Sequence, residues 1–125
     1  MTARIERRRR AQRHGRWAET LALWWLRLKG YRILARDFRS GVGEIDILAR
    51  RGRVIAAVEV KARGDHPSAA TALLPRQQRR IERAAAYFLA RRPEFQGLLL
   101  RFDVMLVVPR RLPRHLQDAW RPERG

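Results

Sequence analysis

The sequence predicts an α/β fold with the order α-β-β-β-α-β, a mixed sheet flanked by helices. Three observations predict it. Residues 15–29 and 75–92 place apolar side chains at helical spacing. Three β-rich runs lie between them, two joined by Arg50-Arg51-Gly52-Arg53, a hairpin signal. One more apolar run follows the second helix, so strands lie on both sides of it in the chain. At 125 residues and 46% apolar, the chain can bury a core, and its length suits one domain.

Each element has its own signals. Residues 1–14 carry six arginines and almost nothing to bury, so they read as a basic arm. Such an arm is either a solvated tail or a phosphate contact. In the first helix, Trp17, Leu21, Trp24, Trp25 and Leu28 form the apolar arc, and Arg13, Arg16, Thr20 and Arg27 the wet face. Gly30 is the stop signal. The arc is wide enough to offer a surface to a second subunit, which leaves room for a homodimer or a protein partner. Tyr31–Phe38, Glu44–Ala49 and Val54–Val60 read as strands, and Gly64–Pro67 as a loop. In the second helix Pro75 suits the first turn. Ile81, Ala84, Ala85, Phe88 and Leu89 form its apolar stripe, with Arg76, Arg79, Arg80 and Arg83 opposite. The last strand is read over 101–108, closed by Pro109, and His115–Trp120 as a short turn of helix.

Charge and composition narrow the function. The formal net charge is +17, from 29 Lys and Arg against 12 Asp and Glu, which favours a polyanionic partner, nucleic acid above all. Without cysteine there are no disulfides and no thiolate metal sites, and a reducing compartment fits. No stretch is long enough to span a membrane, and the short apolar run after the basic start lacks a cleavage site. The expectation is a cytoplasmic protein. No phosphate-cradling glycine loop and no Ser-His arrangement appears, and His14, His66 and His115 lack ligand spacing.

Against this basic background, three acids sit inside apolar strands: Glu44, Asp46 and Glu59. Strand side chains alternate faces, so Glu44 and Asp46 share one face, as do Glu59 and Lys61. A hairpin centred between Arg51 and Gly52 pairs Glu44 with Glu59 and sets Asp46 opposite Ala57, with Glu59 on the diagonal. Like charges this close need compensation. Arginines can neutralise them as ion pairs, or a divalent cation can sit between them. Oxygen ligands without thiolate suit Mg²⁺ or Mn²⁺. Lys61, in a chain that otherwise uses arginine except at Lys29, favours the cation, because lysine can hand over a proton and arginine effectively cannot. Asp103 reads as structural, paired with an arginine.

Asp46 followed by Glu59-Val60-Lys61 across a hairpin resembles the signature of the PD-(D/E)xK nucleases. Gly15-Arg-Trp-Ala-Glu19 resembles the GxxxE helix motif of related nucleases, and Gly43-Glu-Ile-Asp46 their GxxD element. From about residue 14 to 120 the chain resembles the YraN-like family of small uncharacterised bacterial proteins. The matching pieces are Gly30-Tyr31-Arg-Ile-Leu, GEIDILAR, VEVKAR, Gln78-Arg79-Arg80-Ile81, Arg101-Phe-Asp103-Val and His115–Trp120. The resemblance implies a restriction-endonuclease-like fold. It divides the chain into a basic arm (1–14), a nuclease-like domain (15–120) and a tail (121–125). It implies a Mg²⁺-dependent DNA endonuclease, with branched or structured DNA as substrate. Asp46 and Glu59 would hold the metal with help from Glu19 and the Val60 carbonyl, Lys61 would act on the attacking water, and Gln78 would position water or touch phosphate. Arg76, Arg79 and Arg80 are the expected nucleic-acid contacts. The family pattern has Lys-Gln where this chain has Gln77-Gln78, so Arg76 or Arg79 would take over that lysine's contact. The alternative is a nucleic-acid-binding module on the same fold, without turnover.

Overall fold

The structure is a computed structural model that describes residues 16–62 and 73–122. The basic arm read over residues 1–14 and the loop read over Gly64–Pro67 lie outside the described residues. Helix α1 covers residues 16–28. There follow β1 (Arg32–Ser40), β2 (Gly43–Arg51), β3 (Val54–Ala62), α2 (Pro75–Ala90), a 3-10 turn (Pro93–Phe95), β4 (Leu99–Val107) and β5 (Arg114–Trp120). The five strands form one mixed sheet in sequence order: β1, β2 and β3 are antiparallel, β3 and β4 parallel, β4 and β5 antiparallel. The parallel pair needs a crossover, and α2 supplies it. The α/β class and the mixed sheet flanked by helices are as the sequence predicts.

The sheet carries a core on each face. On one, Ala18, Ala22, Leu23 and Leu26 of α1 pack with Ile47, Ala49, Ala56, Val58, Met105 and Val107. On the other, Ile81, Ala84, Ala85 and Phe88 of α2 pack with Leu48, Ile55, Ala57, Phe102 and Val104. The stripe expected for α2 is the one it buries, except that Leu89 is only partly covered. Gly30 ends α1 as predicted. It takes φ 90°, its N–H donates to the Arg27 carbonyl, and the Tyr31 N–H donates to that of Leu26. Those two bonds make a Schellman motif.

Three expectations need correction. First, α1 buries a different face from the one its tryptophans suggest. Trp17, Trp24 and Leu28 are exposed, and Trp24 is covered by the Arg27 guanidinium, 5.0 Å from its ring centre. The helix lies against Ala49 and Ala56, and its own Ala18 and Ala22 permit the close approach. Second, His115–Trp120 is no helical turn but lies within edge strand β5. β4 offers a ladder to pair with, and a six-residue helix could not bury its apolar side chains as well. Asp118 at φ 54° marks the irregularity where the register shifts. Third, the β2–β3 turn is centred one residue later than predicted. Arg51 pairs with Val54, and Gly52 takes the positive φ (60°) that a tight hairpin turn demands. Among the described residues, no helix is long and apolar enough to cross a membrane.

Candidate active site

The turn correction improves the acid pair. The ladder runs from Arg51↔Val54 to Ile47↔Val58, and continuing that register sets Asp46 opposite Glu59 and Glu44 opposite Lys61. The shift is even, so all four residues stay on one face. The regular ladder stops at this point. The Val60 N–H donates to Asp46 Oδ2 at 2.8 Å, so a side chain takes the place of a ladder acceptor. The two strands fork around the carboxylates. Meanwhile β3 continues to pair with β4 as far as Ala62↔Val107, so Glu59 and Lys61 remain on a rigid support.

The carboxyl groups of Asp46 and Glu59 share one face at the fork and line the same cleft, close enough for Glu59 to feel the charge of Asp46. Burial, then the charge of Asp46, pushes Glu59 up to about 8. Asp46 is also raised, chiefly by burial, against the opposing Val60 N–H and the Lys61 charge. Two carboxyl groups this close resist full ionisation unless positive charge joins them. The Lys61 ammonium lies 4.0 Å from Glu59 Oε1, and both side chains are four-fifths buried or more.

α2 closes the site. Glu44, Asp46, Glu59, Gln77, Arg80 and Ile81 line a cleft of about 100 Å³, room for an ion and its water rather than a nucleotide. This approach depends on Gly43. A Cβ there would lie 1.9 Å from the Arg80 carbonyl oxygen, a helix backbone atom that cannot swing away. Gly43→Ala is therefore expected to push α2 off the sheet end and destabilise the protein by about 1–3 kcal/mol in urea titration. An unchanged unfolding midpoint would refute the close approach.

Glu19 reaches the same end of the sheet from α1. Burial raises its pKa, offset by a hydrogen bond from Arg36, and it feels the charge of Asp46. Arg36 Nε donates to Glu19 Oε1 at 3.1 Å, and its terminal nitrogen donates to the Thr20 hydroxyl at 2.6 Å. Glu19 is thus near the pair but tied to a guanidinium. Glu44 stands at the exposed rim, 4.0 Å from both Arg39 and Arg80.

Comparison with known proteins places the chain. A family model described as "Uncharacterised protein family UPF0102" matches residues 18–107, which takes in Glu19, Asp46, Glu59, Lys61 and all of α2. The chain belongs to the UPF0102 family. It is 65% identical over 112 residues to a UPF0102 protein of Parvibaculum lavamentivorans, covering 90% of this chain and 84% of that one. A UPF0102 protein of Paramagnetospirillum magneticum is 57% identical over 115 residues (89% of each chain), and one of Methylorubrum extorquens 54% over 117 (92% and 91%).

In this UPF0102 protein the other predicted residues fall in three places. Arg76, Arg79 and Arg80 are exposed on the first turns of α2, and Arg80 lines the cleft. Gln78 is not among the lining residues; its side chain donates to the Leu73 carbonyl at 3.2 Å. Gln77 lines the cleft instead, and its Oε1 also accepts the Leu74 N–H at the helix start. Sequence reading gave Gln77 no role of its own, because the phase of a helix's first turn is set by how it docks.

Sequence reading also missed a second polar cluster. Asp103 is fully buried, accepting two bonds from Arg101 at 2.8 Å, one from the Asp118 N–H at 2.9 Å, and contacting His115 Nε2 at 2.7 Å. Burial pushes its carboxyl up, but the hydrogen bonds from His115, Arg101 and Asp118 outweigh this and hold it below the ordinary range. The arginine partner expected for Asp103 is Arg101. His115, which lacks ligand spacing, belongs to this network.

Proposed function

We propose that this UPF0102 protein is a Mg²⁺- or Mn²⁺-dependent DNA endonuclease of the PD-(D/E)xK type, acting on branched or otherwise structured DNA. The observation that carries the reading is the placement of the Asp46 and Glu59 carboxyl groups in one cleft at the fork of β2 and β3, with Lys61 beside Glu59. A structural ion-pair patch would put a guanidinium between the acids. Among the described residues no arginine pairs with either acid, and both have a raised pKa, which suits a site made to receive positive charge.

The donor set fits a hard dication. Among the described residues no three His, Asp or Glu side chains gather as a ready-made metal site. Mg²⁺ often takes only one or two protein carboxylates and completes its shell with water and substrate phosphate. Asp46 and Glu59 would hold it, with the Val60 carbonyl as a further ligand and Glu19 as support. When bound, the cation supplies positive charge against the scissile phosphate and acidifies water. Lys61, fixed beside Glu59, orients the attacking water and helps its deprotonation by steadying the developing hydroxide. Arg80 meets the phosphate at the cleft, while Arg76 and Arg79 extend the basic strip along α2 to the flanking backbone. Recognition would rest on the sugar-phosphate backbone, which the arginines of α2 face, more than on base edges.

A cleavage screen tests this. Junction, flap, duplex and single-stranded DNA are incubated with the protein and Mg²⁺ or Mn²⁺, beside Asp46→Asn and Lys61→Ala. Cleavage by wild type that both variants lose is expected. No cleavage with either cation, or equal cleavage by Asp46→Asn, would overturn the enzyme reading. Metal-independent, salt-sensitive binding without cleavage would then favour the binding module.

A further inference from the structure

The network around Asp103 contains a reactive arrangement that the nuclease reading does not use. The Asp103 carboxylate can only accept hydrogen bonds, so the His115 nitrogen 2.7 Å away, Nε2, carries the hydrogen. Nδ1 is then left as an acceptor, and Lys29 Nζ lies 2.7 Å from it. Carboxylate, imidazole and nucleophile thus stand in one hydrogen-bonded row, as in a catalytic triad, with an amine in place of a hydroxyl. Asp103 is rigidly held and stays ionised, so it can stabilise an imidazolium at His115. Lys29 is only half-buried, and Lys29 and Lys61 are the only lysines in the chain. Arg51, exposed, donates to the Lys29 carbonyl at 3.2 Å, which keeps a guanidinium beside the amine. Burial, with the charges of Arg51 and Arg101 opposed by Asp103, lowers the Lys29 pKa. If the role were merely to neutralise Asp103, Arg101 already fulfils it.

We propose that Lys29 is a nucleophilic amine, activated by the Asp103–His115 pair, that condenses with carbonyl compounds bearing an anionic group. His115 Nδ1 takes a proton from the Lys29 ammonium, and Asp103 holds the resulting imidazolium. The freed nitrogen pair forms a bond to the carbonyl carbon as the carbonyl π pair moves to oxygen. That oxygen takes a proton from solvent, the nitrogen gives up its extra proton to solvent, and His115 later returns its proton through the Lys29 nitrogen. Loss of water then breaks the C–O bond and leaves an imine. Amine plus aldehyde gives imine plus water, with no oxidant or reductant. Arg51 attracts the anionic group. Asp103 does not touch the carbonyl compound; it is a positioning residue.

Borohydride trapping with pyridoxal 5′-phosphate on the full chain tests this, with N-acetyl-lysine in the same tube and peptide mapping of Lys29 and Lys61. At pH 7 Lys29 is expected to react about tenfold or more faster than the reference amine, as general-base activation allows. Its rate should reach a plateau at a pH below that of the reference. His115→Gln should bring the rate down to the reference, and Arg51→Met should slow pyridoxal phosphate several-fold more than butanal. If Lys29 in wild type reacts no faster than the reference, or follows the reference pH profile, the proposal is overturned. Folded His115→Gln reacting like wild type overturns it as well, and equal slowing of both aldehydes by Arg51→Met removes the anionic preference. Should His115→Gln fail to fold, the wild-type profile alone decides.

Discussion

Glu59→Gln is expected to abolish cleavage and, in the absence of metal, to make the protein more stable. In the folded chain burial and Asp46 hold the Glu59 pKa at about 8, against an ordinary 4.5. Between those values the folded state binds more protons than the unfolded state, so stability falls as pH rises. Below the window both states are protonated and no penalty exists. Above it the penalty is complete and constant. Glutamine has no proton to lose, so the variant lacks this slope. Its advantage should open across the window and reach on the order of 1–3 kcal/mol by pH 9, read by urea unfolding at a series of pH values. Divalent cation should stabilise wild type and leave the variant unmoved, because a ligand stabilises only the state that binds it. Cleavage should fall about a thousandfold or more, the scale of losing an essential charged group. A variant less stable than wild type at every pH would mean that Glu59 is paired for structure.

Asp103→Ala should do the opposite, leaving the cleft chemistry in place and removing much of the stability. The substitution strips the acceptor from Arg101, His115 and the Asp118 N–H together. His115 is nearly sealed from water, so no solvent replaces the lost partner. Breaking a buried charged pair from one side costs about 3–5 kcal/mol. β5 is held to β4 at this point, and the end of α1 is tied to it through Lys29 and Tyr31. Unfolding should therefore begin with loss of the β5 edge, seen as accelerated amide exchange over residues 114–120. The Asp103 pKa is depressed, so its contribution is present above the ordinary carboxylate range and lost only as pH falls through its lowered folded value. A destabilisation below about 1 kcal/mol would show that the network is dispensable.

How far the sequence carries is clearest residue by residue. α2 was legible because Pro75 and the Ile81–Phe88 stripe agree on one helix and one face. That Asp46 and Glu59 share one face was legible, though not their direct pairing, because strand alternation survives an even register error. The turn centre was not, since Arg50 to Arg53 permits several loop lengths and only Gly52's positive φ selects one. The face of α1 was misjudged because tryptophans dominate any hydrophobicity count, while the sheet beneath accepts only the closeness that Ala18 and Ala22 allow. β5 and the Asp103 network were hidden for a different reason. They join residues far apart in the chain, 86 positions between Lys29 and His115 and 70 between Tyr31 and Arg101. No local pattern encodes such contacts.

The central claim is that Asp46 and Glu59 together make a dication site, and Mn²⁺ binding followed by electron paramagnetic resonance tests it most directly. Wild type is titrated with and without a short DNA duplex, beside Asp46→Asn. The proposed function predicts one bound Mn²⁺ per chain, tightened by DNA and by raising the pH toward 8, and missing from Asp46→Asn. No bound Mn²⁺ in either titration, or the same binding in Asp46→Asn, would contradict it.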